Sequence, residues 1–204
     1  MEEATIPAWP PPAQAMEGAG FWIRALARIV DMVYVTVIAL CTGVFCGIGF
    51  ALMEHSGRLS PEWRAHLQGV TVTGILMDLL ALILYHTLTE GVHGASFGKW
   101  LCGLRVVQKD GSPSNLRGAL IRSAAYLLDS LFFGLVGYAS MRETLPLRQR
   151  FGDRWGRTVV VKTRHLPDDH VRSGWRFVGG LALGSAAYSA CCVVSLCLKI
   201  RPYF

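Results

Sequence analysis

From Met32 to Met53 the chain contains no Asp, Glu, Lys or Arg, and from Phe177 to Leu198 it contains none either. Charge is scarce throughout. Charged residues are 17% of the 204, apolar residues 52%, and the mean hydropathy is +0.37. Soluble domains of this size carry roughly 25% charge, so that class is excluded. Two further apolar blocks lie between: Val70 to Thr89, broken only by Asp78 and His86, and Ala124 to Met141, broken only by Asp129. A membrane-spanning helix needs roughly 20 such residues. Three blocks reach that length and the third falls short. The expected fold is an all-α membrane protein of three to four hydrophobic helices.

Other absences narrow the function. The first twenty residues hold no Lys or Arg, only Glu2, Glu3 and Glu17 around a Trp9-Pro10-Pro11-Pro12 stretch. Without a basic n-region a cleaved signal peptide is not expected, and the helix opened by Arg24 and Arg28 serves as its own insertion signal. Residues 1–18 read as a disordered Pro-rich tail. The six cysteines form no C-x-x-C, and none of the five intramembrane ones has a His at zinc-ligand spacing. Small residues in membrane helices serve close packing, so no metal and no cofactor are expected. Gly94 to Lys99 imitates a phosphate-binding loop, but His93 stands where its first Gly belongs and Trp100 where Ser or Thr would hold magnesium. No Ser-His or Cys-His arrangement survives spacing tests, and an enzyme is not expected. The net charge of +6 resides in loops flanking the apolar blocks, which points to anionic lipid headgroups as partner and not to nucleic acid.

What the chain does have is a repeat. Gly20-Phe21-Trp22-Ile23-Arg24 leads through six residues to Asp31, and Gly118-Ala119-Leu120-Ile121-Arg122 leads through six to Asp129. Seven residues are nearly two helical turns, so each Arg and Asp share a face about 10 Å apart along the axis. Ionisable groups that deep in an apolar segment are functional candidates. Arg24, Asp31, Arg122 and Asp129 are expected to form one charge network between neighbouring helices. Other readings stand beside it: Arg24 and Arg28 snorkel to lipid phosphates, or Asp31 pairs with Arg28 or Arg122. Asp78 has no Lys or Arg near it in sequence and must find a partner elsewhere, sit protonated or line a wet cavity. His86, Glu90 and His93 read as surface residues, and Lys99 with Arg105 as contacts to lipid phosphate.

Two loops carry strand-like runs: Leu104-Arg105-Val106-Val107-Gln108 before an Asp110-Gly111 turn, and Val159-Val160-Val161-Lys162. They can pair into a small ribbon if both loops lie on one side of the membrane. The third block is short and interrupted by Phe132-Phe133-Gly134, so it is expected to be re-entrant, leaving both basic loops and the ribbon cytoplasmic.

Together these segments resemble the RDD family of small bacterial membrane proteins, named for one arginine and two aspartates. The resemblance rests on Gly20 through Asp31, on Gly94 through Gly111, and on Gln149-Arg150-Phe151-Gly152-Asp153 through Val161. It implies that Arg24, Asp31 and Asp153 are the name-giving residues. The chain departs from the pattern in Trp155-Gly156-Arg157, and a helix follows the family module. The expected organisation is a tail (1–18), the RDD-type module (19–163), a polar linker (164–176) and an added transmembrane helix (177–204). The expected location is multi-pass in the inner (plasma) membrane with a cytoplasmic N-terminus, as a homo-oligomer or as a subunit of a membrane complex. The resemblance suggests transport. Asp31, Asp78 and Asp129 would then meet to pass a small cation or proton, and the alternative is a non-catalytic accessory or scaffold subunit.

Overall fold

In a computed structural model the chain is described at residues 16–62, 71–129, 134–166 and 174–200. Three helices are long and apolar enough to cross a membrane: α1 (Phe21–His55), α2 (Val72–Val92) and α7 (Gly174–Ile200). Between α2 and α7 come the short helix α3 (Phe97–Leu101), strand β1 (Leu104–Gln108), α4 (Leu116–Asp129), α5 (Leu135–Glu143), the short helix α6 (Phe151–Trp155) and strand β2 (Thr158–Lys162).

The spanning helices meet around Val35, Ala81, Tyr85 and Tyr188, with Cys191 and Cys192 packed against that cluster. Small residues let them approach. A Cβ on Gly184 would stand 2.7 Å from Thr89 Cγ2 and 3.1 Å from the Tyr85 carbonyl, so α2 and α7 touch backbone to backbone there. Hydroxyl pairs Tyr34–Ser185 (3.0 Å) and Thr42–Ser189 (3.1 Å) tie α1 to α7. Phe50, Leu59 and Ile200 close the end remote from the strands. The outer face of α1, from Leu26 through Val33 to Leu52, is exposed and apolar. In a membrane protein that is the surface lipid covers.

β1 and β2 pair antiparallel, Leu104 opposite Lys162 and Gln108 opposite Thr158. A lone two-stranded ribbon is marginal in water. This one is covered on both faces. Val107, Val159 and Val161 pack on Met16 and Leu166, while Leu104, Val106 and Val160 pack on Ala19, just before α1, and on Ala27 within it. That two-sided burial explains the unbroken valine run of β2. The tail expected at 1–18 therefore ends earlier: Met16 is buried, and the Gly18 and Ala19 amides donate to the Pro146 and Val160 carbonyls. Residues 1–15 lie outside the described segments, as do 167–173 of the expected linker. α7 opens at Gly174, within that linker.

Strand pairing decides the course of the third apolar block. β1 precedes it and β2 follows it in one sheet, so the chain leaves the ribbon through α4, turns near Gly134 and returns through α5 and α6. Helices of 14 and 9 residues rise only about 21 and 14 Å, short of a ~30 Å hydrocarbon core. The block doubles back to the ribbon instead of continuing as one long helix. α1 begins at the ribbon end and α7 finishes at the far end, beside Phe50.

Candidate functional site: a buried charge chamber between two repeats

Asp31 sits nearly three turns into α1 and points at the start of α3. Its Oδ1 accepts from the Gly98 amide at 2.7 Å and from the Tyr85 hydroxyl at 3.3 Å, and its Oδ2 accepts from the Ser96 hydroxyl at 2.6 Å. A carboxylate there satisfies N–H groups that a five-residue helix would leave unpaired. Gly98 is required by closeness: a Cβ would lie 2.0 Å from the Ala27 carbonyl oxygen. The Gly94-to-Lys99 segment is thus a docking turn for α1.

Asp129 does the same for α6. Its oxygens accept from the Phe151 amide at 3.1 Å and the Gly152 amide at 3.3 Å, and a Cβ on Gly152 would meet Ala125 Cβ at 3.1 Å. The repeat is therefore longer than the two helical motifs. Phe97-Gly98-Lys99 corresponds to Phe151-Gly152-Asp153, and each strand starts at the same distance from its short helix. Even the turns agree, with positive φ at Gly103 (63°) and at its counterpart Arg157 (52°). The strand register maps onto itself when the halves are exchanged. Two like units, α1–α3–β1 and α4–α6–β2, face each other about a pseudo-two-fold axis.

The arginines meet across that interface. Arg24 Nη1 donates to Asp153 Oδ2 at 2.7 Å, and Arg122 Nε donates to Asp153 Oδ1 at 3.1 Å. Arg24 also donates to the Ala19 and Arg148 carbonyls, at 3.0 and 2.9 Å. By symmetry Arg122 would seek position 99, which is a lysine. Glu90 of α2 resolves the clash by accepting from Arg122 Nη2 at 2.8 Å and from Lys99 Nζ. Arg28 stacks on its own counterpart, Tyr126, 3.8 Å from the ring centroid. Arg28 also donates to His86 Nε2, which leaves the His86 proton on Nδ1, 3.4 Å from Glu90 Oε1.

Several expectations need correction. Arg24, Asp31, Arg122 and Asp129 do not pair with one another: the arginines take Asp153 and Glu90, and Asp31 and Asp129 take backbone amides. Asp31 pairs with neither Arg28 nor Arg122. Lys99 does not face lipid phosphate, because its side chain is 14% exposed and bound to Glu90. His86, Glu90 and His93 are buried, not surface residues. Arg105 lies on β1, half-buried, with Nη2 3.4 Å from His93 Nδ1. Asp78 is exposed on α2 and does not meet Asp31 or Asp129.

These groups enclose a chamber with about 60 Å³ for the centres of water-sized molecules. One water needs roughly 10–15 Å³ by that measure, so the space suits a few waters or one small ion. It is lined by Arg24, Arg28, Lys99, Arg122 and Arg150 against Asp31, Glu90, Asp129 and Asp153. Every carboxylate oxygen of the four already accepts a hydrogen bond or sits in an ion pair. The unpartnered buried atoms include Arg28 Nε, Arg122 Nη1 and Arg150 Nε, all of them donors. Burial pushes the Lys99 ammonium down to about 8, with Glu90 opposing. Burial alone would raise the Asp153 carboxyl; Arg122, Arg24 and Arg150 together override it and hold it below the usual carboxylate range.

The RDD family model matches residues 18–157, which takes in everything from α1 through α6 and every charged residue of the chamber, and ends just before β2. The chain belongs to the RDD family. Its similarity extends to the uncharacterized protein YxaI of Bacillus subtilis (strain 168), 25% identical over 154 residues that cover 72% of this chain and 95% of that protein. No solved structure matches. Helix α7 lies beyond the family match, yet it packs on α2 alongside Tyr85 and Thr89. Sequence reading missed Glu90, Arg28, Tyr126 and Arg150 as members of an RDD site. The constant spacing of Phe-Gly and strand in the two halves was a signal for the longer repeat.

Proposed function

We propose that this RDD protein is transport-related and that its charge chamber receives a small anion. One observation carries the reading: all eight carboxylate oxygens in the chamber are occupied, while three guanidinium donors have no acceptor. A group that completes this set must accept hydrogen bonds, which a cation cannot do. The chamber also lies at the interface of two like structural units, where repeat-built transporters hold their substrates. Asp31 and Asp129, expected to carry a cation, instead serve to dock α3 and α6. In this reading the chain is not an enzyme and acts in the inner membrane with the ribbon cytoplasmic. Proteoliposomes containing only this protein should take up labelled sulfate or phosphate, and Arg122→Gln should abolish uptake. Flux of Na⁺ or H⁺ with no anion movement would overturn the proposal.

A second reading, an accessory subunit or homo-oligomer, is favoured by Asp78. It is exposed on α2 among exposed Ile75 and Leu76, about 9 Å in from the start of the helix at Val72, and a carboxylate facing lipid there is costly. A neighbouring protein supplying a cation would offset that cost. Asp78→Asn should then abolish copurification with the partner while leaving uptake by the isolated chain intact.

A further inference from the structure

A groove of about 630 Å³ opens beside the chamber, between α1 and the re-entrant pair. Its α1 wall is apolar, built from Ile29, Met32, Val33 and Val37. From Arg28 to Val37 the wall runs about 14 Å along the helix, close to the roughly 15 Å depth of one leaflet's hydrocarbon. Arg28, Tyr126, Asp129 and Arg150 line both the groove and the chamber, so the two spaces share a neck, where the Asp129 oxygens are already taken by the Phe151 and Gly152 amides and the two guanidiniums outnumber it. The Nε of each arginine is buried without a partner. The Arg150 guanidinium also lies over the Phe21 ring, 5.8 Å from its centroid, at the groove mouth.

We infer that this groove is a binding site for an anionic phospholipid, with its phosphate between Arg28 and Arg150 and one acyl chain along α1. The argument is charge complementarity at one end and apolar shape at the other. The polar neck stands toward the ribbon end and the apolar wall descends toward the middle of α1, the order of headgroup and tail in a leaflet. Phosphate oxygens accept from guanidinium in a forked geometry, which the leftover Nε–H groups call for. A zwitterionic lipid brings an ammonium to the same cations and is disfavoured. The inference rests on the anion reading of the chamber, because the headgroup and a free anion would use the same donors.

Native mass spectrometry of the purified, delipidated chain tests it, with phosphatidylglycerol, phosphatidylcholine and inorganic phosphate as probes. Phosphatidylglycerol should bind at one copy at least about tenfold more tightly than phosphatidylcholine, a gap of roughly 1.4 kcal/mol. Val33→Trp, which fills the groove away from the chamber, should remove that preference while inorganic phosphate still binds, and this retained binding reports an intact fold. Arg150→Gln should weaken both probes. Equal retention of the two lipids would overturn the inference. Phosphate binding without lipid preference would overturn it while leaving the chamber reading in place, and binding of neither would overturn both.

Discussion

Asp153→Asn removes one charge from the centre of the chamber and changes almost no volume. Asp153 accepts from Arg24 Nη1 (2.7 Å), Arg122 Nε (3.1 Å) and the Arg150 amide (3.2 Å). The side chains of Arg24, Asp153 and Arg122 are 3, 5 and 9% exposed, so solvent screens these pairs little. An asparagine keeps one accepting oxygen and presents an NH₂ to the other guanidinium. Breaking a buried pair by neutralising one partner costs about 3–5 kcal/mol. Glu90 still holds Arg122, which favours the lower half of that range. Thermal unfolding in detergent, with a cycle that adds Arg24→Gln, separates this from a general packing loss. The double variant should be less destabilised than the sum of the singles, by about 1–3 kcal/mol, because removing the stranded arginine relieves the asparagine variant. The pH dependence has a fixed sign. The Asp153 carboxyl is held below its ordinary 3.8, so its contribution is complete above that value and is lost as pH falls through the lower folded value. Additive singles, or a loss below about 1 kcal/mol, the range of exposed pairs, would refute a buried Arg24–Asp153–Arg122 centre.

Gly98→Ala should destabilise by on the order of 3 kcal/mol, since its Cβ would stand 2.0 Å from the Ala27 carbonyl oxygen and lift α3 off Asp31; unchanged unfolding would contradict the docking role. Sulfate binding should weaken as pH rises through about 8, where Lys99 gives up its proton, and Lys99→Arg should flatten that profile in a calorimetric titration. Because Lys99 titrates below its ordinary 10.5, the unfolded chain holds the extra proton between those values, and the stability of the native protein should rise across that window. Single cysteines placed at Lys109 and Arg164, in a background without native cysteines, should react with impermeant thiol reagents from the same side of the membrane. Opposite-side labelling would break the re-entrant assignment.

Much of the fold was legible because lipid imposes long uncharged runs, and Met32 to Met53 or Phe177 to Leu198 admits few other readings. The doubling-back of the third block was legible from its short run and from two strand-like segments that needed a common side. The site was half legible. The spacing of Arg24 from Asp31 marked a shared helix face, yet the helix alone does not say what each side chain meets. Asp31 lies two turns deeper, level with the amides of α3, and so takes Gly98 instead of an arginine. Lys99 after Phe-Gly reads as a surface residue until Glu90 is brought from α2, a contact that depends on tertiary packing. Asp78 shows the reverse: an apolar setting in sequence predicted an interior carboxylate, and the bundle leaves it exposed.

Isothermal titration of sulfate into the purified chain at neutral pH tests the chamber most directly. One sulfate should bind per chain, binding should be lost in Arg122→Gln, and NaCl should compete only as a weaker anion. Heat from Na⁺ or Li⁺ at constant anion, with none from sulfate, would contradict the account.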